Sequence, residues 1–154
     1  IGEYALDNNP IVIVTLGLGS CVGVCVRDKT KNIGAMVHVM LPDSSGNIGP
    51  KPGKYADSGI DLIYSELLKI GASASNLEAK IAGGAAMFGT SSQTMDIGKR
   101  NIEAVKLKLK QKGVRIIAED VGGNRARSIE FNIATGELMV KKVGGGEKVE
   151  LYNI

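Results

Sequence analysis

The chain has 154 residues, 44% hydrophobic and 23% charged. That balance excludes a disordered, collagen-like or coiled-coil protein and suits one globular domain burying roughly 68–70% of its unfolded surface. Basic side chains exceed acidic ones by 19 to 16, a net charge of +3, too weak to imply a polyanionic partner. With aromatics at 4%, a base-stacking surface for nucleic acid is not expected either.

Glycine fills 21 positions, about twice its usual share of ~7%, so many tight turns are expected. No apolar run approaches the ~20 residues that cross a bilayer. The sequence opens at Ile1 without a charged-then-apolar leader. A cytoplasmic location without membrane insertion is therefore the expectation.

In chain order, Ile11 to Thr15 is a β-branched run with no helical stripe, suited to a strand buried on both faces. Gly17-Leu-Gly-Ser20 breaks it. Val22, Val24 and Val26 then alternate, residues 27–32 are polar turn material, and Gly34 to Leu41 is apolar again; this is a hairpin pattern. Pro42 to Gly53 holds three of the four prolines and three glycines and reads as a surface loop.

A helix follows with Ile60, Ile63, Tyr64, Leu67, Leu68 and Ile70 on one side, Ser58 and Asp61 in capping-box spacing, and Gly71 as its stop. Ala79 to Ala82 suits a short buried strand ended by Gly83-Gly84, and Met87 to Met95 reads as irregular. A second helix is expected from Gly98 to Lys112, with Ile102, Val105 and Leu109 inward and Gly113 closing it. Strands return at 114–118, 128–133, 137–143 and 148–152. Hairpins with two inserted helices make the class α+β or a layered α/β sandwich, with a mainly antiparallel or mixed sheet.

Several common motifs are absent. Gly17, Gly19 and Gly23 have the wrong spacing for a dinucleotide fingerprint, and a β-branched segment follows them where a helix should begin. Lys54 lacks the glycine pattern of a phosphate loop. Cys21 and Cys25, if extended, stand about 13 Å apart, beyond the ~7 Å limit for a disulfide. Two thiols and the single His38 are too few for a four-ligand structural zinc site.

Cys21 follows Gly19-Ser20 where a glycine break meets a strand. Backbone N–H groups of Ser20 and Cys21 there would suit a developing oxyanion and would lower the thiol pKa. The imidazole available as a base is His38; a hairpin turn centred between Lys29 and Thr30 sets it directly across from Cys21 on the same face, whereas a bulge near Asn32 would change the pairing. A lone cysteine or histidine in a strand is as readily a core residue. Cys25, among valines, is assigned to the core, and Thr15 reads as a β-branched strand residue, with a hydrogen bond fixing the histidine tautomer as the lesser alternative. Lys99, Arg100, Lys106, Lys108, Lys110 and Lys112 against Glu103 read as a solvated helix face, with docking of an acidic helical partner as the lesser alternative.

Taken together, Thr15-Leu-Gly-Leu-Gly-Ser-Cys-Val22, His38-Val-Met-Leu-Pro42, Tyr55-Ala-Asp57, Ala79-Lys-Ile-Ala-Gly-Gly-Ala85, Ile97-Gly-Lys-Arg-Asn101, Val121-Gly-Gly123 and Thr135-Gly136 closely resemble the chemoreceptor glutamine deamidase family, CheD. The resemblance implies a cysteine hydrolase that converts receptor glutamines to glutamates, with no metal or organic cofactor. On matching positions it implies Cys21 as nucleophile, His38 as general base and Thr15 as the residue orienting it. It further implies a layered sandwich related to deamidating bacterial toxins. The implied partners are methyl-accepting chemotaxis receptors as substrate and a CheC-type phosphatase. The same site would suit glutamate methyl esters. The alternative is a regulatory module that binds receptor or phosphatase without essential catalysis.

Overall fold

The β-branched runs become the strands of two stacked sheets in the computed structural model, which describes residues 4–7, 12–86, 97–144 and 148–154. The first sheet has β1 (Tyr4–Asp7), β4 (Ile33–Val39), β3 (Val22–Asp28), β5 (Leu77–Gly83) and β6 (Arg115–Val121), in that spatial order. The second has β2 (Val12–Leu18), β7 (Ala126–Asn132), β8 (Leu138–Val143) and β9 (Glu150–Asn153). Neighbours are antiparallel except β5 and β6. Parallel strands cannot be joined by a tight turn, and α2 (Ile97–Gln111) lies between these two in sequence. The other helix, α1, spans Ala56–Lys69.

Period-2 alternation sorts each strand between two cores. Val22, Val24, Val26, Ala35, Val37 and Val39 pack with Ile60, Ile63 and Leu67 of α1 and Val105 and Leu109 of α2. On the opposite face, Cys25, Met36 and Ala82 meet Ile13, Leu18, Ile129, Phe131, Leu138 and Val140 of the second sheet. The five-stranded sheet is thus sandwiched between helices and the four-stranded sheet, an α+β layered fold as expected. Each fully buried aliphatic side chain contributes about 1.5–3 kcal/mol.

Several expectations need correction. The first strand is not buried on both faces: Val14 is 51% and Leu16 71% exposed, because β2 belongs to the outer sheet, whose far face meets solvent. The strands covered on both sides are β3 and β4. The Ser58/Asp61 capping box does not form, since α1 starts at Ala56 with Tyr55 at its N-cap and no side-chain cap. Ser58 instead donates its hydroxyl to the Pro52 carbonyl, and Asp61 pairs with Lys108 at 3.1 Å and Lys112 at 2.8 Å. Leu68 is exposed rather than inward. The strand at Tyr4–Asp7 has no counterpart in the sequence reading, and Met87 to Met95 lies outside the described residues.

The β3–β4 turn sets the register on which the site depends. Asp28 is fully buried, and its carboxylate accepts from Thr30 N at 2.8 Å, Thr30 Oγ1 at 2.7 Å and Ser73 N at 2.8 Å. This network places residues 29–32 in the turn, with Asn32 at φ 52°, and pairs Asp28 with Ile33. Burial alone would raise the Asp28 carboxyl, but these donors and Lys31 hold it below the usual carboxylate range. A depressed folded-state pKa contributes stability above the unfolded value of about 4 and loses it as pH falls through the folded value. Asp28→Asn should therefore cost about 1–3 kcal/mol at pH 7, because one amide face opposes a donor. The gap to wild type should narrow at pH 3; urea unfolding at both pH values checks this.

Candidate active site

The chain passes from the second sheet to the first through residues 19–21. On β2 the pairing runs Thr15↔Ile129 and then Leu18↔Arg127, so one extra residue is accommodated on this strand. Such a bulge lets Thr15 and Leu18 both face the space between the sheets although they are three apart. Leu18 is fully buried there. The strand then bends over the sheet edge, and Cys21 stands just before β3, half-buried against the inter-sheet core.

His38 lies near the end of β4, on the strand face that also carries Met36, and is only 7% exposed. Its strand partner is Gly23, not Cys21. The expected direct pairing is therefore corrected: the Asp28 network moves the turn and shifts the register by two residues. A two-residue shift preserves the face. Cys21 stands one residue before the Val22↔Val39 end of the ladder, against the inter-sheet core on the side that carries Met36 and, by parity, His38.

Thr15 approaches from the other sheet, its Oγ1 3.1 Å from His38 Nδ1. The three residues singled out from sequence thus come from two sheets to one edge of the interface.

Three successive carbonyls of the Cys21 segment are held by the body of the protein. Gly19 O accepts from Ala85 N at 2.9 Å and Cys21 O from Gly84 N at 2.8 Å, while Ser20 O accepts from Asn101 Nδ2 at 3.0 Å. In a trans peptide a carbonyl and the following N–H point in opposite directions. Anchoring Gly19 O and Ser20 O thereby directs the amides of Ser20 and Cys21 away from Ala85 and Asn101.

The supports come from the ends of the parallel pair. Gly84 and Ala85 follow β5, and Gly122 N, just after β6, donates to Gly83 O at 2.9 Å. Helix α2 seats directly on this backbone, since a Cβ at Gly98 would come within 2.5 Å of Gly84 O and 2.6 Å of Ala85 O. Beneath it lies Arg127, 2% exposed, with its guanidinium 3.2 Å from Asp120 and 3.4 Å from Gly83 O; Tyr152 donates its hydroxyl to the same aspartate. A buried charge requires such partners.

The thiols do not behave as the sequence suggested. Burial pushes the Cys21 thiol up rather than down, because removal from water disfavours the thiolate. Burial raises Cys25 as well, and that residue is fully enclosed in the core as expected. Both cysteines are free. Among the described residues no three His, Cys, Asp or Glu side chains gather as a metal site.

The basic face of α2 is partly consumed within the chain, through Lys108 and Lys112 on Asp61 and Lys106 on Glu119 at 2.8 Å. The loop after β4 is tied to α1 by Ser44, whose hydroxyl donates to Asp57 at 2.8 Å. Sequence reasoning overlooked the bridging role of Asn101 and the seat at Gly98. The motif Ile97-Gly-Lys-Arg-Asn101 marks both positions in the sequence but carries no indication of what they touch.

The family model described as CheD chemotactic sensory transduction matches residues 40–142. A chemoreceptor glutamine deamidase CheD of Thermotoga maritima is 61% identical across the whole chain and 96% of its own length. A probable chemoreceptor glutamine deamidase CheD of Desulfitobacterium hafniense is 45% identical over 91% of the chain and 89% of its own length. A protein of the same printed name from Thermococcus kodakarensis is 41% identical over 97% and 94%. With the family model covering most of its length and a relative this similar spanning all of it, the chain belongs to the CheD family.

Proposed function

We propose that this protein is a chemoreceptor glutamine deamidase working through a Cys21–His38 pair. The observation that carries the reading is the gathering of Thr15, His38 and the anchored Cys21 segment at one edge of the two sheets. Whole-chain similarity to a protein named for that activity supports it.

Burial favours the neutral thiol, so the proton leaves Sγ as attack begins. Thr15 Oγ1 accepts from Nδ1–H, which selects the tautomer whose Nε2 carries the lone pair. Nε2 takes the thiol proton while Sγ bonds to the glutamine carboxamide carbon. The oxyanion that forms is received by the Ser20 and Cys21 amides, a type of donor whose loss costs about 10²–10³ in kcat. The imidazolium returns its proton to the nitrogen, the C–N bond breaks and ammonia leaves a thioester. Water then attacks the thioester carbon with His38 again accepting a proton; the C–S bond breaks, the imidazolium returns its proton to the departing sulfur, and glutamate is released with the Cys21 thiol restored.

The substrates on this reading are the cytoplasmic helices of methyl-accepting receptors, with a CheC-type phosphatase as regulatory partner. Each turnover adds a negative charge to a receptor helix and changes its electrostatic packing. The test is incubation of the protein with a receptor cytoplasmic fragment, read as a one-dalton gain at specific glutamines with matching ammonia release. Iodoacetamide pretreatment should abolish both. No mass gain, with fragment or phosphatase binding intact, would establish the binding-module reading in its place.

A further inference from the structure

Asn101 is an early residue of α2, one turn in from Ile97, and has no exposed surface. Its Nδ2 donates to Ser20 O at 3.0 Å and to Met40 O at 2.9 Å. The first carbonyl belongs to the residue before Cys21, the second to the residue two beyond His38. The Oδ1 of the same amide is buried without a hydrogen-bond partner among the described residues.

An unpaired buried acceptor is unfavourable, so the amide is not explained by packing, which an apolar side chain would serve better. What it supplies is two N–H donors on one planar nitrogen, spread so that each can meet a different carbonyl. Those carbonyls lie on separate segments, and no strand pairing joins them, since the β3–β4 ladder ends at Val22↔Val39. Helix α2 is itself fixed by the close seat of Gly98 on Gly84 and Ala85, the residues that hold the carbonyls on either side of Ser20 O.

We propose that Asn101 is a positioning residue for the deamidation reaction: its carboxamide clamps the nucleophile segment to the end of the His38 strand and thereby sets the Cys21–His38 separation and the direction of the Cys21 amide. This rests on the deamidase reading for its catalytic consequence, but not for its geometric one.

Two variants, Asn101→Ala and Asn101→Ser, test it against Val105→Ala, a cavity-forming control one turn further along the same helix. In both Asn101 variants kcat on the receptor fragment should fall by about 10²-fold, as when reacting groups are displaced by about 1 Å, with KM within about twofold. Val105→Ala should lower thermal stability and leave kcat unchanged. A second readout needs no receptor: the ratio of Cys21 iodoacetamide rates with and without His38→Gln measures how strongly the imidazole promotes the thiol. That ratio should exceed one in the wild-type background and collapse toward one in whichever Asn101 variant folds. An unchanged ratio, or a loss shared equally by Val105→Ala, would overturn the proposal. If wild-type protein modifies no receptor glutamine but the ratio still collapses, the deamidase reading fails and the clamp stands.

Discussion

Cys21→Ala should lower receptor-glutamine deamidation on the order of 10⁶-fold, the scale seen when a hydrolase loses its nucleophile. An amide resists water because its carbonyl is resonance-stabilised and its nitrogen leaves poorly; the thiol divides that barrier into acylation and deacylation. Alanine retains the backbone amides of Ser20 and Cys21 and the imidazole, so any remaining rate reports substrate binding and oxyanion stabilisation alone. The side chain is half-buried and Cys21 O keeps its bond to Gly84 N, so the fold should survive with a stability change of about 1 kcal/mol or less. His38→Gln should cost nearly as much, and the double variant little more than either, because the two act as one unit. Initial rates from the mass gain of the receptor fragment supply the measurement. Cys21→Ala activity within tenfold of wild type would remove the thiol from the mechanism.

The route from residues to site was legible wherever local rules decide the outcome. Alternating valines marked β3, the stop at Gly71 fell one residue beyond the C-cap of α1, and face parity placed Cys21 and His38 on the same side despite the wrong register. The register itself turned on the Asp28 side chain, which draws donors from Thr30 and from Ser73, 45 residues away; no hairpin rule contains Ser73. The residues alone favour Thr15 as a strand residue over a partner of His38, since their contact arises between sheets and requires the bulge before Leu18. The thiol shift was read with the wrong sign because nearby N–H donors were visible in sequence and the enclosing second sheet was not. Asn101 was invisible as a clamp for a related reason: its partners lie 81 and 61 residues away.

Gly83→Ala should be the most damaging small substitution outside the reacting groups. Gly83 ends β5 at φ +115°, and a Cβ there would sit 2.2 Å from Cys21 O and 3.2 Å from Val22 Cα. These are backbone atoms of the nucleophile segment and of the strand paired with β5, so neither can rotate aside as a side-chain terminus would. Backbone strain of about 1–3 kcal/mol and overpacking of about 1–3 kcal/mol together predict about 2–6 kcal/mol of destabilisation. At about 2–4 °C per kcal/mol for a chain of this size, the melting temperature should fall by roughly 4–24 °C. Gly113→Ala separates the two effects, because Gly113 also has positive φ, +73°, but no atom within 4 Å of its Cβ position. It should show the strain alone and leave catalysis untouched. Gly83→Ala, by contrast, should lose deamidation even at temperatures where it stays folded, since relieving the clash displaces Cys21 O from Gly84 N and turns the adjoining peptide. Parallel melting curves and receptor-fragment rates for the two variants distinguish these outcomes; equal melting shifts with full activity in both would show that the Cys21 segment yields freely and that its anchoring does not govern the chemistry.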